Sequence, residues 1–405
     1  MRHALVLSGM RLLFVHQSFG SLGGAESNIF AAAGELRLRG YHVGLLTREG
    51  TGRGEAAWRE LFGDNLFFLK RTDAPDAIRR FRPDALYVHK WEEISSLEQL
   101  LAAGVPAIRM VHDHDLHCLR SYRYHPLTRR VCHRAMGARC VFLCLAPLKR
   151  NPKGPLPVRW ASFFKKKREL ALARQFDVSL VATRYMRDEL LLNGVSSRRI
   201  EICAPVPAAA EPLESSFSER NLLVFAGQLV RGKGVDVLLR ALARVRGKFE
   251  VMILGDGNHR AKCEALCTKL GLGDRVTFKG FVPQNDMRAL YAEATAVMVS
   301  SVWPEPMGLV GIEAMRFGLP VVAFDAGGIK EWLRDGENGF LVPWMDTASY
   351  AGRLEELLAD KAKAREMGRR GLERAEQDFA FDPYIDRLES LFERAASYPQ
   401  EALAV

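Results

Sequence analysis

Short apolar runs rich in β-branched residues alternate along the chain with longer stretches of helical period, the pattern of βαβ units built on parallel sheets. In the first half, Leu12–His16 reads as a strand entering a Gly-rich turn, Ala25–Arg39 as a helix and Val43–Thr47 as the next strand. Ala85–His89, Ala107–His112 and Val178–Ala182 continue the series. Cys118–Leu156, rich in Arg, Cys, Pro and Tyr, interrupts it and reads as a long inserted loop. A Pro/Ala/Ser/Glu-rich stretch, Ala204–Glu219, then separates the halves. Beyond it Leu222–Gly227, Glu250–Leu254, Val276–Phe278, Ala296–Ser300 and Val321–Phe324 read as buried strands. Val235–Arg246, His259–Leu270, Met287–Ala294 and Leu309–Phe317 read as the helices between them, and Ala348–Gln377 and Asp382–Ala396 as closing amphipathic helices.

A length of 405 residues fits two domains better than one core. The pattern places the first at 1–205 with an insertion at about 117–157, a linker at 206–219, and the second at 220–380. A final helix, 381–405, is read as crossing back to the first domain. The architecture implied is α/β, two doubly wound domains facing each other across a cleft, with ligands beyond the carboxyl ends of the strands.

Composition narrows the function. Hydrophobic residues make up 48% of the chain and the mean hydropathy is −0.09, values of a soluble globular protein. No apolar run approaches the roughly 20 residues of a membrane span. Ala4–Ser8 is short for a signal peptide and lacks a small-residue cleavage site, so a cytoplasmic protein is expected. The net charge of +10 is uneven: from Arg109 to Arg187 eighteen Lys or Arg stand against four Asp or Glu. Such a block suits a phosphorylated substrate or an anionic membrane surface. With no recognisable nucleic-acid module beside it, nucleic acid is not expected as a partner.

Three motifs carry chemistry. Gly227-Gln-Leu-Val-Arg-Gly-Lys-Gly234 follows a strand and opens a helix, where close backbone approach and unpaired N–H groups favour phosphate. Arg231 and Lys233 add charge, and the spacing is not that of a Walker A loop. Trp303-Pro-Glu-Pro-Met-Gly-Leu-Val-Gly-Ile-Glu313 places Glu305 before a helix that starts near Met307 or Gly308, and Glu313 inside it. A Gly-led helix start can cap a diphosphate, and an inward Glu can grip a diol. Gly23-Gly-Ala-Glu26 repeats the Gly-led start after the first strand.

Together, Gly-Gly-Ala-Glu26, the Lys233-Gly234 loop, Glu305-x7-Glu313 and Ala-Gly-Gly-Ile329 resemble glycosyltransferase family 4, retaining enzymes of the GT-B fold with two Rossmann-like domains. The likeness covers nearly all of the C-terminal half and, more thinly, the N-terminal half outside Cys118–Leu156. It implies a hexosyltransferase-type enzyme drawing on a nucleoside-diphosphate-sugar, without a cofactor, for envelope polysaccharide or glycolipid synthesis. By that resemblance Lys233 and Gln228 bind the donor diphosphate, Glu313 holds the ribose, and Glu305 with Met307, Gly308 and Leu309 contacts sugar and phosphate. Gly23, Gly24 and Val282 join the donor site, and His112 lines it as a catalytic residue with Glu305 and Lys233. The family commonly has Arg where this chain has Gln228, and Arg231 is the candidate to supply that charge. GT-B enzymes generally manage without a metal, and metal-independent transfer is expected. The alternatives are a non-catalytic nucleotide-sugar or glycan-binding scaffold and a UDP-sugar 2-epimerase-like enzyme, which lacks the Glu305-x7-Glu313 string.

Cys118, Cys132, Cys140 and Cys144 admit structural zinc, buried free thiols or oxidation-prone thiols, without the tight Cys-x-x-Cys pairs that would settle it. Arg120, Arg123 and Tyr124 in the same stretch, with Arg129, Arg130, Lys149, Arg150 and Lys153, suggest recognition of an anionic or lipid-linked saccharide acceptor from the N-terminal side. Trp160, Phe163 and Phe164 beside Lys165-Lys-Lys-Arg168 suggest peripheral attachment at the inner face of a membrane, or else a core pair beside a solubilising run.

Overall fold

A computed structural model of the chain describes residues 9–20, 23–125, 127–150, 158–206 and 220–397. Nearly all of the expected linker (207–219), the start of the chain and Lys153 lie outside these residues. Two compact units form: unit 1 comprises Met1–Ser121, His133–Ala208 and Phe381–Val405, and unit 2 comprises Tyr122–Cys132 and Ala209–Ala380.

Unit 1 is built on strands β1 (Arg11–Val15), β2 (His42–Thr47), β3 (Leu66–Phe68), β4 (Ala85–Val88), β5 (Ala107–Val111), β6 (Leu148–Arg150), β7 (Val158–Trp160), β8 (Val178–Val181) and β9 (Ile200–Ile202). Seven of them make one parallel sheet in the order β9-β8-β5-β4-β1-β2-β3, while β6 and β7 pair as a separate antiparallel hairpin. Leu12–Val15 and all of β4 are buried, as central strands covered on both faces must be. The chain winds outward one way from β1 and the other way from β4, so the topological switch lies between these two strands. The C-terminal helix Phe381–Ser397 completes this unit. The Tyr384 hydroxyl donates to Asn28 Oδ1 (3.0 Å), Arg39 donates to Asp386 and Glu389 (2.5 and 2.7 Å), and Phe392 packs edge-on to Tyr87.

Unit 2 continues with β10 (Leu222–Ala226), β11 (Glu250–Leu254), β12 (Val276–Gly280), β13 (Ala296–Val299), β14 (Val321–Phe324) and β15 (Gly339–Val342). All pair in parallel, in the order β12-β11-β10-β13-β14-β15, with the switch between β10 and β13. Leu223, Phe225, Val251 and Ile253 pack against Val237, Leu238 and Leu242 of the helix Val235–Leu242.

Several expectations are corrected. The strands β3, β9 and β15 were not read from the sequence, β3 and β9 carrying too few residues to show a period. The stretch 348–377 is two helices, Thr347–Ala359 and Lys361–Asp378. They divide at Asp360, whose carboxylate caps the second helix by accepting from the Lys363 N–H at 2.9 Å. The Cys118–Leu156 stretch contains a short helix (Ala138–Phe142) and β6, and part of it packs into unit 2.

Candidate functional site

Lys233 and Glu305 meet at the switch of unit 2. β10 runs into the Gly227–Gly234 loop and β13 into the 300–308 loop, so neighbouring parallel strands deliver both to the carboxyl edge of the sheet. Gly234 is required there: its φ is +68°, and a Cβ would stand 2.0 Å from the Ser300 carbonyl oxygen. Lys233 Nζ donates to Glu305 Oε1 at 2.6 Å, and the Trp303 Nε1–H donates to the same oxygen at 2.8 Å. The Ser301 hydroxyl is a third donor. All three donors bond Oε1 of this buried carboxylate. Burial pushes the Glu305 carboxyl up, but the Lys233 charge and the three hydrogen bonds outweigh it and hold it below its ordinary value. Lys233 also lies over the Trp303 ring, 5.5 Å from its centre. An ammonium has three donors, so the bond to Glu305 leaves two for phosphate oxygens.

The helix Leu309–Arg316 begins at Gly308, which has φ +86° and provides no side-chain cap. Its first N–H groups and the positive end of its dipole therefore remain for an anionic ligand. Trp332 Nε1–H donates to the Met307 carbonyl at 2.6 Å and fixes the approach to this turn. Glu313 follows on the helix with no hydrogen-bond partner among the described residues. Burial raises its carboxyl to about 7, and the nearby Arg316 only moderates the shift. An unsatisfied carboxylate in such surroundings is costly unless a ligand donates to it.

Unit 1 has a row of its own. His16, His89 and His112 each directly follow a strand, β1, β4 and β5, which are neighbours in the sheet. His112 Nε2 and His89 Nδ1 share a hydrogen bond of 2.8 Å, and His16 Nε2 pairs with Glu26 at 3.2 Å. Burial drives His112 down to about 4 and His89 well below the imidazole range, so both rings are neutral near pH 7. Burial would raise Glu26, but the hydrogen bond and charge of His16 bring it below its ordinary value. His16 and His89 were not singled out from sequence. Their signal is a repeat, Val15-His-Gln, Val88-His-Lys and Val111-His-Asp, at three strand ends.

The remaining expected residues are distributed more widely. Gln228 is exposed and Val282 half-buried. Arg231 donates to the Leu127 carbonyl at 3.4 Å. Gly23 accepts from the Ser27 N–H at the start of the helix Gly24–Leu38, in unit 1. Arg120 holds the Cys144 and Leu145 carbonyls (both 2.9 Å), which fastens a loop. Arg123 and Tyr124 are buried and belong to unit 2, not to the N-terminal half where the sequence order put them. Zinc finds no support: Cys118, Cys132, Cys140 and Cys144 are half-buried, and no group of three metal-ligating side chains converges among the described residues.

Residues 22–205 match the profile of Glycosyltransferase Family 4, and residues 211–374 that of Glycosyl transferases group 1. The chain belongs to glycosyltransferase family 4. It is similar to the lipopolysaccharide core biosynthesis glycosyltransferase LpsE of Rhizobium meliloti, 36% identical over 42% of this chain and 48% of that one. A D-inositol 3-phosphate glycosyltransferase of Nocardia farcinica is likewise 36% identical, over 38% of this chain and 36% of its own. The chain thus spans about half or less of the length of these relatives. The solved structure of Anabaena HepE in complex with UDP and glucose superposes with a TM-score of 0.71, covering 95% of this chain and all of that one at 20% identity. The fold is that of the GT-B glycosyltransferases.

Proposed function

We propose that this family 4 member transfers a sugar, with retention of anomeric configuration, from a nucleoside-diphosphate-sugar to a glycan or lipid-linked acceptor in envelope polysaccharide or glycolipid synthesis. The observation that carries the reading is the Lys233–Glu305 pair at the switch of unit 2. It stands in the same unit as an uncapped helix start and the unpartnered Glu313. Departure of a nucleoside diphosphate leaves negative charge on its phosphate oxygens. The two remaining Lys233 donors and the N–H groups after Gly308 stabilise that charge as it develops. Glu305 Oε2 accepts from a sugar hydroxyl, and Glu313 accepts from the ribose diol. His112, neutral and held by His89, offers a ring nitrogen at the carboxyl edge of unit 1. HepE was solved with UDP and glucose, which makes a uridine nucleotide the first donor to try.

A patch in unit 1 supports peripheral attachment to an anionic leaflet. Trp160 and Phe164 are 71% and 80% exposed, and Lys165, Lys167 and Arg168, which follow in the chain, are exposed cations. No helix among the described residues is long and apolar enough to cross a membrane. Protein pelleting with vesicles containing phosphatidylglycerol but not with pure phosphatidylcholine is the expected result. Equal pelleting with both contradicts an electrostatic attachment.

Transfer itself is tested by incubating radiolabelled nucleotide-sugars with the protein and a bacterial lipid extract. Label should enter the organic phase and fail to do so with Lys233→Ala. Tight nucleotide binding with no label moved would favour the scaffold reading, which the uncharged Gln228 keeps in view.

A further inference from the structure

Unit 2 contains eleven residues, Tyr122–Cys132, drawn from the middle of the N-terminal half. This arm makes three contacts around the Lys233 loop. Arg129 Nη2 donates to both carboxylate oxygens of Asp236 (3.0 and 2.9 Å), with little of either side chain exposed. Asp236 sits in the first turn of the helix that follows Lys233 and Gly234. Arg231 reaches the Leu127 carbonyl, and Tyr122, half exposed, lies edge-on to Trp303 with ring centres 6.3 Å apart. Trp303 is the residue that donates to Glu305 and lies under the Lys233 ammonium.

The arm is held in a conformation its sequence does not favour. Arg123 and Arg129 within it have φ of 53° and 59°, two of the six non-glycine residues with positive φ among those described, and Ser121, the residue before it, is a third at 65°. Each left-handed residue of this kind costs on the order of 1–2 kcal/mol and persists only where surrounding contacts over-determine it. A loop whose role is to cover a surface has no need of two. One of them, Arg129, is held by Asp236, three residues after Lys233.

We propose that the arm is part of the donor site, with Tyr122 forming a wall of the sugar subsite against Trp303 and Arg129 anchoring the arm through Asp236. The inference rests on the donor reading above and adds to it a residue that selects the sugar. An aromatic wall covers the apolar C–H face of a pyranose while Glu305 Oε2 takes a hydroxyl from its edge. Tyr122 contributes only when a sugar is present. It is therefore a specificity determinant, and Arg129 is a positioning residue.

The experiment measures dissociation constants by calorimetry for UDP with UDP-glucose, GDP with GDP-mannose and ADP with ADP-glucose, on the full chain. With the pair that binds, Tyr122→Ala weakens the nucleotide-sugar about tenfold and the bare nucleotide by less than about twofold. Tyr122→Phe keeps the wall and binds as the parent does. Arg129→Ala removes the same sugar-dependent increment, and the double variant loses no more than either single one, because both act through one docked arm. Unchanged melting temperatures for Tyr122→Ala and Tyr122→Phe separate this from misfolding. Equal weakening of nucleotide and nucleotide-sugar by Tyr122→Ala, or no weakening, overturns the inference. Glu313→Ala separates the two levels. Loss of nucleotide binding in that variant with no effect of Tyr122→Ala sinks the arm alone, whereas nucleotide binding unaltered by Glu313→Ala removes the donor reading and the arm with it.

Discussion

Glu313 joins a high proton affinity to a role that needs a bare carboxylate. Its folded value of about 7 lies above the ordinary 4.5, so the folded chain holds this proton more tightly than the unfolded chain. The stability this contributes is full below 4.5 and is lost as pH rises through 7. Ligand binding runs the other way, because a carboxylate accepting two hydroxyl protons must be ionised. Affinity for a nucleotide-sugar, whose esterified diphosphate does not titrate in this range, should rise about tenfold from pH 6 to pH 8. Glu313→Gln should bind weakly and without pH dependence. An equal slope in both proteins would assign the titration elsewhere. Lys233→Ala tests the phosphate contact: losing a charged donor costs about 1.5–3 kcal/mol, or roughly 10- to 100-fold in nucleotide affinity. It also leaves Glu305 buried with Ser301 and Trp303 as its remaining donors. The sequence singles out Lys233, Glu305 and Glu313 because glycine and carboxylate spacing is local, and the structure brings the first two together. The company they keep is less legible. His89 as the partner of His112 is set by neighbouring strands rather than neighbouring residues, and Ser301 and Trp303 reach Glu305 through the turn of its own loop, which no periodicity marks.

Among the elements, the helices between the strands of unit 2 were read from their period with ends displaced by a residue or a few, whereas Glu55–Phe62, Ala74–Phe81, Ile94–Ala102, Phe163–Ala173 and Arg184–Leu192 of unit 1 were not read. β3 and β9 were missed because three residues give no period, β15 because Asn338-Gly339 at its start reads as a turn, and the division at Asp360 because no Gly or Pro marks it. The arm was invisible for a different reason. Nothing local in Tyr122–Cys132 tells that its partners are Asp236, Arg231 and Trp303, about a hundred or more residues later. The Gly234 turn is the joint most exposed to mutation. Gly234→Ala places a methyl group on a carbonyl oxygen in a left-handed turn and should cost about 3 kcal/mol. Melting of unit 2 should fall by roughly 6–12 °C. A shift of under about 2 °C would mean that the loop relaxes and that the tight approach of β10 and β13 is not essential.

On the scale of the whole molecule, the chain order and the units disagree in two places. The arm leaves the N-terminal half for unit 2, and the C-terminal helix joins unit 1. That helix covers buried Tyr87 with Phe392, and its Arg387 and Arg394 both pair with Glu201. Ending the chain after Ala380 should therefore lower the melting of unit 1 and leave that of unit 2 unchanged in a calorimetric scan. Equal lowering of both would assign the helix to unit 2 as well.

In the proposed function, unit 2 binds a nucleoside-diphosphate-sugar through Lys233, Glu305 and Glu313. The most direct measurement is a thermal-shift screen with UDP, GDP, ADP and their sugar conjugates on the parent chain and on Glu313→Ala. Stabilisation by one nucleotide class, lost in the variant, is the predicted result. No shift with any of them, or a shift that survives Glu313→Ala, would contradict the claim.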